Sequence, residues 1–188
     1  MSQQNPLYFI ALIAPAGLRK EIENFKKEIK LKYGAKHALK LPAHLTLQIP
    51  FRMEEKKERL LLKELQKFAA SQKVFEVKLN GFGKFSRNVI FVKVENPEPV
   101  VHLYENLQGI IQKNLELKDH EKTSKIHPHL TIASRDLSRQ QFPQAWNDFR
   151  DREYNASFLA GSIFLLKHNG KTWEHYRKFS FDESPGSE

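Results

Sequence analysis

Two short stretches of this chain carry the residue types that proton transfer needs. His44-Leu45-Thr46-Leu47 and His129-Leu130-Thr131-Ile132 repeat one pattern, and each closely follows a proline, Pro42 or Pro128. With eight histidines and only four threonines, random placement would put a threonine two residues after a histidine about 0.2 times, so two occurrences read as a duplicated motif. In an extended strand residues i and i+2 share a face, roughly 6–7 Å apart. Each stretch therefore turns an imidazole and a hydroxyl to one side and two aliphatic side chains to the other. Two such strands facing one cleft would suit a phosphodiester. A neutral imidazole can take a proton from attacking water, an imidazolium can give one to the leaving oxygen, and the hydroxyls can donate to non-bridging phosphate oxygens. This chemistry requires no metal and no cofactor.

Other chemistries are narrowed by what the chain holds. It has no cysteine, which excludes disulfide scaffolds, thiolate metal sites and cysteine nucleophiles. His127-Pro128-His129 could offer two imidazoles to a metal, but no third ligand follows at a matching spacing, so a role in orienting the site or simple exposure is the expectation for His127. The formal net charge is +9, which biases partners toward polyanions such as RNA or nucleotides. Lys36, Lys40, Arg87 and Lys125 fall in loops that could rim a cleft. The Lys and Arg residues of the first two helices are expected to be ordinary solvated surface. The apolar run Leu7 to Ala14 is far shorter than the roughly 20 residues of a spanning helix, and no basic segment precedes it. A cytoplasmic monomer with no membrane and no obligate protein partner is the resulting expectation.

The elements that must position the motifs follow from hydrophobic period. Leu7 to Ala14 reads as a buried strand, stopped by Pro15 and Gly17. Leu18, Ile22, Phe25, Ile29 and Tyr33 recur at helical spacing until Gly34. A strand over 43–49 carries the first motif, and a helix from residue 54 offers Leu60, Leu61, Leu65 and Phe68 to its buried side. A hairpin, 74–85 and 89–94, precedes the Asn96-Pro97-Glu98-Pro99 break. A third helix then has Val101, Tyr104, Leu107 and Ile111 as its stripe. A charged loop over 118–125 leads to the second motif strand, 129–134, and a fourth helix over 140–152. Strands 157–167 and 172–181 close the chain around an Asn169-Gly170 turn. The two halves repeat one rhythm about the proline break. The reading is one α+β domain, residues 1–182, with two pseudo-repeated lobes of antiparallel sheet covered by helices, and a flexible tail, 183–188.

The two His-x-Thr-x stretches, 85 residues apart, together with the N-terminal strand and helix and the closing hairpin, resemble the paired signature of the 2H phosphoesterase superfamily. The likeness is to its 2'-5' RNA ligase and RNA 2',3'-cyclic phosphodiesterase branch. That resemblance implies a bilobal, pseudo-twofold α+β fold with two antiparallel sheets lining a central cleft and helices outside. It also implies hydrolysis of 2',3'-cyclic phosphate RNA ends or related cyclic nucleotides, with a weak reversible 2'-5' ligation in part of the family. Residue by residue, His44 and His129 would be the acid–base pair and Thr46 and Thr131 the phosphate binders. By analogy His129 would activate water and His44 protonate the leaving oxygen; the motif is equally compatible with the reverse. Arg135 would stand where relatives carry a basic residue, one position late, and Phe51 where they often carry an aromatic. Independently of the resemblance, one of Tyr8 and Phe9 at the start of the first strand could face the cleft and stack on a base, with core packing as the main expectation. Trp173, Tyr176 and Phe179 could either pack or stack. Two alternatives remain open at this level: a basic RNA-binding module without turnover, and a metal-dependent hydrolase using His127 and His129.

Overall fold

The computed structural model describes residues 5–86 and 88–182. Strand β1 (Leu7–Ile13) is buried along its whole centre, because strands pair with it on both sides and side chains cover both of its faces. That double burial explains why its sequence is continuously apolar and does not alternate. Helix α1 (Ala16–Tyr33) stops at Gly34, whose left-handed φ of 72° lets its N–H reach the Lys30 carbonyl. A 3-10 turn, His37–Lys40, leads into β2 (His44–Arg52), followed by α2 (Glu55–Ala70) and the hairpin β3 (Phe75–Phe85) and β4 (Val89–Val94). Helix α3 (Glu98–Asn114) starts within the proline break, with Pro99 in its first turn where a missing N–H costs nothing. A 3-10 turn, Asp119–Glu121, strand β5 (His129–Ala133), helix α4 (Phe142–Arg150) and strands β6 (Asn155–Ala160), β7 (Ser162–His168) and β8 (Trp173–Ser180) complete the order.

Two four-stranded antiparallel sheets result, ordered β2-β1-β7-β8 and β5-β4-β3-β6. In each, the motif strand is an edge strand beside a neighbour buried at its centre, which gives the arrangement its pseudo-twofold character. The sheets are not the two halves of the chain. The first-half hairpin β3–β4 pairs with β5, and the closing hairpin β7–β8 pairs with β1. The expected strand over 157–167 is in fact two strands, broken at Gly161. Residues before the break pair with β3 and those after it with β1. The small residues Ala160, Gly161 and Ser162 let the chain turn from one sheet into the other.

The helices pack on the outer faces. Phe25 of α1 meets Phe82 of β3, Phe149 of α4 and Tyr154 edge-on, at centroid distances of 5.2, 6.2 and 5.1 Å. On α2, Leu61, Leu65, Phe68 and Ala69 are buried, whereas Leu60 is 48% exposed, contrary to its expected place in the stripe. Helix α3 buries Val100 and Leu103 beside Tyr104, Leu107 and Ile111, a stripe shifted one position from Val101. A second, smaller apolar cluster of Phe9, Ala11 and Leu166 lies on the opposite face of the first sheet, with Ile13, Phe164 and Trp173 packed against it. No helix among the described residues is long and apolar enough to cross a membrane. The tail 183–188 and Arg87 lie outside the described residues.

Candidate active site

Both motifs alternate as strand geometry requires. Leu45, Leu47, Leu130 and Ile132 are at most 1% exposed, while His44, Thr46, His129 and Thr131 are only partly covered. His44 pairs across β1 with Ile13 and Thr46 with Ala11; His129 pairs across β4 with Lys93 and Thr131 with Phe91. Edge strands β2 and β5 lie beside one another, close enough that charge on His129 is felt at His44.

The imidazoles are held by one shared device. His44 Nδ1 lies 2.8 Å from the Pro42 carbonyl oxygen, and His129 Nδ1 lies 2.5 Å from that of His127. A carbonyl can only accept, so Nδ1 carries the proton in both rings and Nε2 presents its lone pair. In both, the acceptor is the carbonyl two residues upstream, that of Pro42 itself in the first motif and that of His127, before Pro128, in the second. Neither threonine hydroxyl has a protein partner among the described residues, which leaves both able to donate to a ligand.

Burial pushes the His44 imidazole down to about 4, with the Lys26 ammonium and His129 adding to the effect and the bond to Pro42 opposing it. Burial also lowers His129, helped by the charge of His127 and opposed by the carbonyl bond. Lys26 had no place in an exposed helix surface. It is 4% exposed, its Nζ donates to the Leu41 carbonyl at 2.8 Å, and burial holds its ammonium down to about 8. Its position in the stripe Leu18, Ile22, Lys26, Ile29, Tyr33 was the sequence signal that it faces inward.

Aromatic rings wall each histidine. Phe9 meets His44 edge-on at 5.5 Å and is itself met by Trp173 at 4.6 Å. Phe85 and Phe91 meet His129 at 4.9 and 5.0 Å and each other at 4.3 Å. Phe91 can lie across β3 only because residue 83 is glycine. A Cβ there would stand 2.5 Å from Phe91 Cε2 and 2.6 Å from Cζ.

Several expected substrate contacts do not reach the cleft. Tyr8 is fully buried on the opposite face of β1 from Phe9; its hydroxyl donates to Glu58, and burial first, then Glu58, raises its pKa to about 12. Phe51 is fully buried too, stacked on Tyr8 at 6.0 Å, because it lies an even number of residues from Leu45 and Leu47 on β2 and shares their core-facing side. Neither can stack on a base. Of the three aromatics on β8, Trp173 faces the cleft, Phe179 is buried in the core, and Tyr176 donates to Glu58. His127 contributes its carbonyl to His129, while its exposed ring rests 5.8 Å from Phe85. Arg135 follows the end of β5 in a left-handed conformation, φ 56°, so strand parity does not decide its direction; its charge is felt at His37. The neighbouring Asp136 carboxylate accepts the Lys36 and His37 N–H groups, tying the 3-10 turn before β2 to the loop after β5. Lys36, Lys40 and Lys125 are exposed. Among the described residues no group of three or more His, Asp or Glu side chains stands together as a metal ligand set.

The model of the 2'-5' RNA ligase superfamily matches residues 15–172. A protein of Geobacillus sp. (strain WCH70) named "Putative phosphoesterase" is 32% identical over 165 residues, 85% of this chain and 90% of its own length. A like-named protein of Geobacillus kaustophilus is 27% identical over 92% of this chain and 94% of its own. Among solved structures, E. coli LigT complexed with 3'-AMP superposes with a TM-score of 0.69 at 19% identity, covering 95% of this chain and 99% of that one. A Thermus thermophilus protein gives 0.65 at 20% identity, covering 95% and 100%. With the family model spanning most of its length, the chain belongs to the 2'-5' RNA ligase superfamily of 2H phosphoesterases.

Proposed function

We propose that the protein is a cyclic phosphodiesterase that opens 2',3'-cyclic phosphates at RNA ends or on related nucleotides, with His44 and His129 as its acid–base pair. One observation carries the reading: two imidazoles of the same tautomer, each with a threonine two residues on, present free Nε2 atoms from adjacent edge strands. That LigT is crystallised with 3'-AMP supports a nucleotide-sized ligand for this cleft. The net charge of +9 favours a polyanionic one.

The chemistry balances with the chain's own groups. Nε2 of the base takes a proton from water as the water oxygen bonds to phosphorus. The bond from phosphorus to one ribose oxygen breaks, and Nε2–H of the acid protonates that oxygen, leaving a phosphomonoester. Thr46 and Thr131 donate to the non-bridging oxygens as their charge grows. With a ribose 5'-hydroxyl in place of water as the nucleophile and the 3'-oxygen as the protonated leaving group, the same steps form a 2'-5' bond. Burial lowers both imidazoles, His44 to about 4, so His44 suits the base, and His129 is then the acid, whose protonated form the incoming anion stabilises. This reverses the division drawn by motif analogy.

The test is hydrolysis of nucleoside 2',3'-cyclic phosphates in EDTA by wild type, His44→Ala and His129→Ala. Turnover that falls about 10²–10⁴-fold in each variant is the expected result. Activity surviving in the double variant, or activity lost in EDTA and restored by a metal, would overturn it. The product isomer identifies the leaving oxygen.

A further inference from the structure

The face of the first sheet that carries the first motif continues beyond it into a pocket of about 380 Å³ at the far edge, where β8 and the β6–β7 crossing meet the start of α1. Its polar lining is Arg19, His175, Lys178, Ser162 and Ser180, with Phe164 at the base, and no carboxylate lines it. Lys178 has no acidic partner among the described residues. Arg19 Nε is shut off from solvent and hydrogen-bonds to nothing among them. Arg19 is close enough to His175 that, after burial, it is the other influence holding that imidazole below its usual range. Two cations and an imidazole line the pocket without a counterion, and the buried Arg19 Nε is a donor that is costly to leave unmade and that an anion here would satisfy. The first turn of α1 beside them carries no acidic residue and no side-chain cap.

Register places the pocket relative to the motif. Thr46 pairs with Ala11, Ala11 with Phe164 and Phe164 with Lys178, a single row across the sheet. Three strand spacings put Lys178 about 14 Å from Thr46 on the same face. Phe164 lies between them with the His175 ring 5.5 Å away, an apolar surface on which a base can lie.

We infer that Arg19, Lys178 and His175 form a second phosphate site, which holds a backbone phosphate upstream of the reacting end and so selects an oligonucleotide over a mononucleotide. The inference rests on the proposed activity at His44 and His129 for the identity of its ligand. Only a strand reaching from the histidines across Phe164 joins the two sites.

The test compares wild type with Arg19→Gln, Lys178→Gln and the double variant on two substrates, a nucleoside 2',3'-cyclic phosphate and a tetranucleotide with the same end. Each substitution should lower kcat/KM on the tetranucleotide about 10-fold, mainly through KM, and leave the mononucleotide unchanged. Equal losses on both substrates, or none on the tetranucleotide, would overturn the site. Lys178 is exposed, so its variant tests the site even where Arg19→Gln folds poorly. A second arm titrates a labelled tetranucleotide 3'-phosphate by fluorescence anisotropy, which needs no turnover. If wild type hydrolyses neither substrate, the proposed activity fails while this arm still decides the pocket. Weaker binding by the double variant, with a shallower salt dependence, supports it, and equal affinity refutes it.

Discussion

Gly83→Ala is the sharpest single perturbation of the wall around His129. The new methyl would stand 2.5 and 2.6 Å from two ring carbons of Phe91 and 3.2 Å from Lys93 Cγ. Carbon atoms rest at about 3.5–4.0 Å, so the ring edge must withdraw by roughly 1 Å or more. Phe91 is 8% exposed and hemmed in by Phe85 at 4.3 Å and His129 at 5.0 Å, so the displacement passes to the imidazole. Overpacking of this kind costs about 1–3 kcal/mol in stability. A misplacement near 1 Å at a catalytic group can cost on the order of 10²-fold in rate. The assays are kcat on a 2',3'-cyclic phosphate, thermal unfolding, and the His129 ring-proton NMR shift, which reports ring position whether or not the substrate is right. Phe91→Leu removes the ring edge, so the double variant Gly83→Ala/Phe91→Leu should lose less than the two single losses combined. Wild-type kcat, Tm and NMR shift in Gly83→Ala would refute the close approach. A lowered Tm with an unmoved His129 resonance would refute the claim that Phe91 positions the imidazole.

Lys26→Met removes the cation that lowers His44, so the acidic limb of the pH–kcat profile should move to higher pH, whereas Lys26→Arg keeps the charge and should leave it in place. Stability should fall with acid between about pH 6.5 and 4. Above that window His44 is neutral folded and unfolded; within it only the unfolded chain takes up the proton. The loss is at most roughly 3 kcal/mol, read from urea unfolding at pH 7 and pH 4 and reduced in His44→Gln. Tyr8→Phe breaks a bond to the Glu58 carboxylate and should cost about 1.5–3 kcal/mol with KM unchanged. Phe9→Ala, on the other face of the same strand, should raise KM for a nucleotide substrate; the reverse pattern in this pair would refute the assignment of the two faces.

Much of the site could be read from residue order because strand geometry is local. A two-residue spacing puts His44 with Thr46 and His129 with Thr131 whatever surrounds them, and a helical stripe broken by Gly34 needs no partner to be recognised. Aromatic roles were less legible. Tyr8 and Phe9 are adjacent in a strand whose two faces are both apolar, so no alternation marks which one meets the cleft. Phe51 was legible by the same rule, since it lies an even number of residues from the core-facing Leu45 and Leu47 and is buried with them. Lys26 shows the opposite failure: its spacing was informative, but its charge outweighed it.

By itself the sequence determined the duplicated His-x-Thr-x motif, the face each residue occupies, the family and the antiparallel α+β character, since all depend on residue type and short-range period. Only the tertiary structure decided which strands are neighbours. It assigned β3–β4 to the second motif, turned the chain at Gly161 into the sheet of the first, and set the edge strands β2 and β5 side by side. It also decided the depression of both histidines and the row that leads from Thr46 to Lys178. Those properties arise from long-range contacts and the water they exclude, and no local spacing encodes either.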